Sequence, residues 1–361
     1  MIFLQIRGLS RGACRLELCW YAVGLGLRQR RPGAGVAPLQ ESANQEGAKP
    51  MTSPLPRQTI PAGGRRALST LHFDIVGGCQ LRCVGCPNSG LDPRPEFIAP
   101  DLFARCLSNI DVPKITLIRL FNYGEPLLHP ELEELGRILL ASPIERHWVE
   151  ISTNAQSDAR DRLEALVAMG ALNLLTVSCD GDGTPDSYEA LRPPAKWSKL
   201  MSFLAFARDL ATTYPGLRLQ ARCVIETPED KLRWREVLTP FGIHPEFRGW
   251  IQLPDSLRDR ARDQVTMGSG GCAIAADPGN LYVDHRGNIV PCCFHPGAAQ
   301  LGNLGQSRYS ALWAGEGRAE FLQALVTRRA TMPVCNRCEM GAELTLGPAT
   351  AAVARFRQGG R

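Results

Sequence analysis

A chain of 361 residues with 44% apolar side chains is long enough to bury a sizeable core and a second, smaller domain, which excludes a disordered or low-complexity protein. The net charge of +5 does not mark a nucleic-acid footprint, because residues 1–66 carry ten Lys/Arg against three Glu, or +7, leaving −2 for everything after them. Thirteen cysteines, several in close pairs, read in a chain this long as metal ligands in a reducing cytoplasm rather than as a secreted disulfide framework, and no run of about 18 apolar residues offers a membrane span.

Residues 1–66 show no regular pattern, and we expect them to be disordered or to precede the true start of the protein. Leu18 to Leu27 is mostly apolar and follows Arg7, Arg11 and Arg15 as in a signal peptide, but no small-residue cleavage site comes after it; an arginine-rich transit peptide is a second reading. Met51, which opens Met-Thr-Ser-Pro-Leu-Pro, supplies a third, a start inside the sequence. From residue 67 to 255 short β-branched runs alternate with helical patterns, the habit of repeated βα units on a parallel sheet. Strands are predicted at His72–Val76, Ile115–Phe121, Trp148–Ser152, Leu174–Ser178, Leu217–Ile225 and Glu246–Trp250. Helices are predicted near 101–109, 131–140, 159–169, 197–212 and 229–238. Pro100 and Pro130 stand ahead of two of them, where a missing amide donor costs little. Such units close into an α/β fold, a partial (β/α)6 TIM-like barrel with functional loops at the carboxyl ends of its strands. Residues 256–346 break the repeat and are cysteine-rich, which predicts a small second domain; residues 347–361, rich in Ala, Arg and Gly, are expected to fray.

The loop after the first strand carries Cys79, Cys83 and Cys86 in a C-x3-C-x2-C spacing. Three thiolates on so short a loop can converge on one metal centre, with Gly77 and Gly78 freeing the backbone ahead of them and Pro87 stiffening the exit. A four-iron cluster held this way exposes one iron to an outside ligand, whereas structural zinc needs a distant fourth ligand to close it. Phe121-Asn-Tyr-Gly-Glu-Pro ends the second strand, where Glu125 is an acceptor for an ammonium group and Gly124 lets the backbone approach a ligand; a plain strand-to-helix turn would read the same. Asn154 ends the third strand, and Ser178-Cys-Asp180-Gly ends the fourth, followed by Arg192, whose guanidinium fork matches a carboxylate. Taken singly, the polar residues among these read equally as turn or cap residues. Arg222 in the fifth strand and Arg248 with Trp250 in the sixth are candidates, with Asp180, for contact with a substrate in the barrel mouth; the alternative is tips that snorkel to water.

Beyond the repeat, Cys272 is followed by fourteen residues, Gly287, four residues and Cys292, and after forty-two more by Cys335-Asn-Arg-Cys338. Four thiolates close a site fully, whether around zinc or around a cluster, and Cys293 competes with Cys292 for one position. Cys14, Cys19, Cys106, Cys179 and Cys223 fall outside both sets.

The triplet and its position resemble those of the radical S-adenosylmethionine (SAM) superfamily, and the later four cysteines resemble its SPASM domain and the shortened relative called Twitch. The resemblance implies that Cys79, Cys83 and Cys86 hold a [4Fe-4S] cluster whose open iron is chelated by the amino and carboxylate groups of SAM. It implies that Gly124 and Glu125 hold the SAM amino group, in a motif where Tyr123 replaces the first glycine, and that Ser178 and Arg192 bind the carboxylate. Asn154 and Asp180 would complete the cofactor site, Asp180 through ribose hydroxyls or the substrate. Cys272, Cys292, Cys335 and Cys338 would hold one auxiliary [4Fe-4S] cluster.

The implied activity is reductive cleavage of SAM to a 5′-deoxyadenosyl radical that abstracts a substrate hydrogen. By this resemblance the substrate is a small polar molecule, sugar- or aminocyclitol-like, oxidised with the auxiliary cluster as electron acceptor. A peptide- or protein-modifying maturase is the alternative, and a non-enzymatic iron–sulfur or zinc protein a second. The implied partners are a small-molecule or peptide substrate and a reducing donor such as flavodoxin or ferredoxin, with no nucleic acid and no membrane, in the cytoplasm.

Overall fold

The computed structural model describes residues 67–90, 94–250, 253–255 and 271–338. The expected N-terminal extension, the tail from 347 and most of the boundary near 255–268 lie outside the described residues. The predicted alternation is present as β1 (Leu68–Phe73), α1 (Pro100–Asn109), β2 (Lys114–Arg119), α2 (Leu132–Ala141), β3 (Glu145–Thr153), α3 (Arg160–Ala168) and β4 (Leu174–Ser178). It continues as α4 (Pro185–Leu191), α5 (Trp197–Thr213), β5 (Arg218–Ile225), α6 (Pro228–Leu238) and β6 (His244–Gly249). Sequence pattern placed one helix between β4 and β5; there are two, the extra one started by the Thr184 side chain accepting from the Ser187 amide and by Pro185 in its first turn.

The first six strands are parallel and adjacent in chain order, the arrangement of a partial (β/α)6 barrel. The C-terminal segment continues this sheet. Its strand β7 (Asn280–Val283) pairs in parallel with β1, and β8 (Ile289–Val290) returns antiparallel, so the outer edge of β1 is covered from within the chain. After this hairpin come α8 (Tyr309–Ala314) and α9 (Glu316–Arg328), with the short α7 (Ala273–Ala276) ahead of it; Phe321, Leu322 and Leu325 of α9 form a small second core with Ala275. Among the described residues no helix is long and apolar enough to cross a membrane.

Alternation along the strands gives the barrel two unlike faces. Leu71, Phe73, Ile118, Val149, Ile151, Leu175, Val177 and Ala221 are buried with helix residues such as Phe103, Leu135, Leu163 and Phe203 in the main core. The residues between them are polar and build a layer of ion pairs across β2 to β6. Glu150 accepts from Arg119 at 2.7 Å, from Thr176 at 2.7 Å and from Arg222 at 3.3 Å. Arg222 also donates to Glu246 at 3.1 Å, and Glu246 pairs in turn with Arg248. Burial alone would raise the Glu150 carboxyl, but the two guanidiniums and the Thr176 hydroxyl hold it at about 2.

Removing that carboxylate charge leaves Arg119 without its ion-pair partner in the barrel and Arg222 with Glu246 alone. Glu150→Gln is expected to lower stability by about 3 kcal/mol in urea unfolding at neutral pH. Because the folded-state pKa is depressed, the wild-type advantage is complete above the ordinary value of 4.5 and is lost as pH falls toward about 2, so the difference between the two proteins should shrink through that window.

Candidate functional site

A cavity of about 340 Å³ opens at the carboxyl ends of the strands. Cys79, Cys83, Cys86, Gly124, Glu125, Asn154, Ser178, Asp180, Arg192, Arg222 and Arg248 all line it, together with Trp250 and with Phe294 from the C-terminal segment. Residues 215 positions apart at their extremes, Cys79 and Phe294, thus share one space because βα units deliver every strand end to the same side.

The triplet loop is fixed at several points. Its Arg82 amide donates to the Pro193 carbonyl at 2.6 Å and its Val84 amide to the Leu191 carbonyl at 2.9 Å, so the loop is stapled to the turn that carries Arg192. Gly85, between two of the cysteines, lies under the Trp250 indole; a Cβ there would come within 2.3 Å of the ring. The Asn154 amide group donates to the Cys79 sulfur at 3.4 Å. Burial, reinforced by the Glu125 charge, pushes the Cys79 thiol up to about 12, and burial with the Cys83 charge does the same to Cys86, so these thiols give up protons when they bind metal. Among the described residues no three His, Cys, Asp or Glu side chains form a group that could hold a single metal ion.

The turn after β2 is organised by Asp74, just beyond β1. This buried carboxylate accepts the consecutive amides of Asn122 at 3.2 Å, Tyr123 at 3.1 Å and Gly124 at 3.2 Å. Burial raises its carboxyl to about 6 despite those donors. Gly124 has no room for a side chain, since a Cβ would stand 1.7 Å from the Val76 carbonyl oxygen. Glu125 accepts from the Leu127 amide at 3.1 Å, the Thr153 hydroxyl at 2.8 Å and the Asn154 amide at 2.7 Å. Burial raises its pKa against these bonds, and a cationic ligand group beside it would favour the charged form.

Across the cavity Arg192 pairs with Asp180, whose other oxygen accepts the Val224 amide at 3.2 Å. Asp180 therefore meets a guanidinium and a strand amide within the chain while also lining the cavity, where the sequence suggests a ribose or substrate contact. The Arg192 Nε is buried and meets no acceptor among the described residues, which leaves a directed cationic donor facing the cavity. A ligand with a carboxylate and an ammonium fits this pairing of Arg192 with Glu125, and three thiols beside it fit an iron–sulfur cluster with one open iron.

The four later cysteines come from three segments. Cys272 precedes α7, Cys292 follows β8, and Cys335 and Cys338 flank a single turn after α9. Burial raises the Cys335 thiol to about 11, helped by the charges of Cys338 and Cys272; burial also raises Cys292, where Cys293 and Cys272 add to it. Cys272 is thus in electrostatic reach of both other segments. Cys293 instead shares a hydrogen bond with Tyr282, while the Cys292 thiol neighbours Cys272. Arg329, buried beneath, donates to the carbonyls of Cys335 at 3.0 Å, Cys338 at 2.9 Å and Gly271 at 3.2 Å, tying two of the segments together. Gly287 adopts φ 78°, and a Cβ there would press on the Cys106 sulfur at 3.0 Å, which accounts for a glycine ahead of Cys292. None of the eleven described cysteines is in a disulfide, and Cys106, Cys179 and Cys223 are buried in the core.

The family model described as the radical SAM superfamily matches residues 74–215, and the one described as an iron–sulfur cluster-binding domain, SPASM, matches residues 272–339. The chain belongs to the radical SAM superfamily. It is a radical SAM enzyme with a SPASM domain, and its cofactors are SAM, a SAM-binding [4Fe-4S] cluster and auxiliary iron–sulfur. Among solved structures it is similar to anSMEcpe with bound AdoMet, at 14% identity and a TM-score of 0.51 over 81% of this chain and 95% of that one. The similarity to anSMEcpe with bound AdoMet and Cp18Cys peptide is 14% identity and a TM-score of 0.50 over 81% and 100%. BtrN in complex with AdoMet and 2-DOIA is 19% identical, with a TM-score of 0.48 over 76% and 94%. No protein of curated function matches the chain in sequence.

Sequence reasoning missed Asp74 and Arg329. A lone Asp at a strand end carries a weak signal, but the Asp-Ile-Val-Gly-Gly run leading into the triplet could have raised it; nothing local marks Arg329. Arg329→Met should release the carbonyls that hold the later cysteines. Iron analysis of the anaerobically reconstituted chain is expected to fall from about eight irons to about four, with the first site still loaded.

Proposed function

We propose that this radical SAM enzyme is an oxidoreductase acting on a small polar, sugar- or aminocyclitol-like substrate, with Cys79, Cys83 and Cys86 as ligands of the SAM-binding cluster and Cys272, Cys292, Cys335 and Cys338 as ligands of the auxiliary one. The observation that carries the reading is the shared cavity: the triplet, Glu125 and Arg192 occupy one part of its wall, and Arg222, Arg248 and Trp250 another. The bound groups supply hydrogen-atom abstraction and one-electron transfer.

The chain's own residues bind and orient. Arg192 and Ser178 take the SAM carboxylate and Glu125 its ammonium, with Asn154 fixing Cys79 beside them. Glu246 anchors both Arg222 and Arg248, so their guanidiniums are held in place as donors to hydroxyl or amino-alcohol oxygens rather than as loose charges. The Trp250 indole covers the cluster loop at Gly85 and keeps water from that flank. Phe294, two residues past Cys292, brings the auxiliary loop to the cavity wall, which supports an acceptor role for that site. A flavodoxin- or ferredoxin-like donor in a reducing cytoplasm completes the reading.

Anaerobic reconstitution followed by dithionite and SAM should yield 5′-deoxyadenosine. Cys83→Ala is expected to abolish it, and Cys335→Ala to leave some cleavage while impairing turnover. Polyols and aminocyclitols should stimulate cleavage in the wild type; stimulation by peptides alone would reject the small-molecule substrate, and no 5′-deoxyadenosine from a loaded, reducible chain would reject the reading as a whole.

A further inference from the structure

Tyr123 stands where three segments meet. Its main-chain N–H donates to Asp74 at 3.1 Å, and its carbonyl accepts from the side chain of Asn88, two residues past Cys86, at 3.3 Å. From this fixed backbone the phenol reaches into the C-terminal segment and donates to the Cys292 carbonyl at 3.2 Å. The phenol thus joins the turn after β2 to the loop that carries Cys292 and Cys293. The next residue, Gly124, is pressed on the Val76 carbonyl, which leaves the turn little freedom to yield toward β1.

We infer that Tyr123 is a positioning residue that couples SAM occupancy of the 122–125 turn to the auxiliary cysteine loop at 291–295. The inference rests on the SAM site proposed above and goes beyond it. SAM that orders the turn also orders the phenol, and the phenol carries the restraint to the Cys292 carbonyl. Glycine at this position has no side chain to do so, and phenylalanine fills the same space without the donor. One ordinary hydrogen bond limits the coupling to about fivefold, and linkage makes it reciprocal: an ordered auxiliary loop tightens SAM binding by the same factor.

The test is hydrogen exchange followed by mass spectrometry on the full, anaerobically reconstituted chain, with and without SAM and with no reductant present. In the wild type SAM should slow exchange at 122–126, and about fivefold at 291–295. In Tyr123→Phe the protection at 122–126 should persist and that at 291–295 should disappear. Equal protection of 291–295 in both proteins, or none in the wild type, overturns the coupling while leaving the SAM site standing. Absence of protection at 122–126 in the wild type would overturn both.

Discussion

One buried carboxylate sets the geometry from which the site follows. Asp74 lies at the point where the chain leaves β1 for the cysteine loop, and it holds the turn after β2 by three consecutive amides. Those donors only partly offset the cost of burying a charge, as its raised pKa of about 6 records. The return is positional: the turn with Gly124 and Glu125 is tied to the segment that leads into Cys79, Cys83 and Cys86. The Asp74 amide also donates to the Val283 carbonyl at 2.8 Å, so the same residue ties in β7 of the C-terminal segment.

The barrel divides its labour by strand parity. Apolar residues face the helices and provide the packing, while the alternate residues form charged layers that would be costly to bury unpaired. Arg222 and Arg248 belong to that layer and also line the cavity, with Glu246 holding both guanidiniums and Glu150 holding Arg222 as well. On the far edge, β7 extends the parallel sheet from β1, which brings the auxiliary cysteines in on the framework that carries the first set. Continuity of the sheet, rather than a flexible linker, sets the position of the β7–β8 hairpin ahead of Cys292.

The cysteine spacings and the period-two runs were legible because they are local. All six barrel strands were found, but β1 was placed at His72–Val76 and runs over Leu68–Phe73. Asp74 to Val76 leave the ladder to cage the turn and to bridge Phe97, a demand from distant residues that a strand pattern does not show. The short β7 and β8 were overlooked for a similar reason: four and two residues carry little periodicity, and their pairing with β1 supplies the stability. Glu125, Ser178 and Arg192 were singled out through ordered motifs, each weak by itself, and the fold brings all three to one cavity. Asp180 was read as a ligand contact and does line the cavity, but the sequence could not show that Arg192 and the Val224 amide also meet its carboxylate. Arg329 acts on carbonyls six and nine residues onward and 58 residues back, contacts that only the folded chain defines.

The central claim is that the chain holds one open site and one closed site, distinguished by three thiolates against four. Electron paramagnetic resonance of the reduced, reconstituted chain addresses this directly. Two cluster signals are expected, of which only one changes on adding SAM, and that one should be missing when Cys79, Cys83 and Cys86 are all replaced by alanine. A SAM-dependent change that survives the loss of the triplet, or two signals that both ignore SAM, would contradict it.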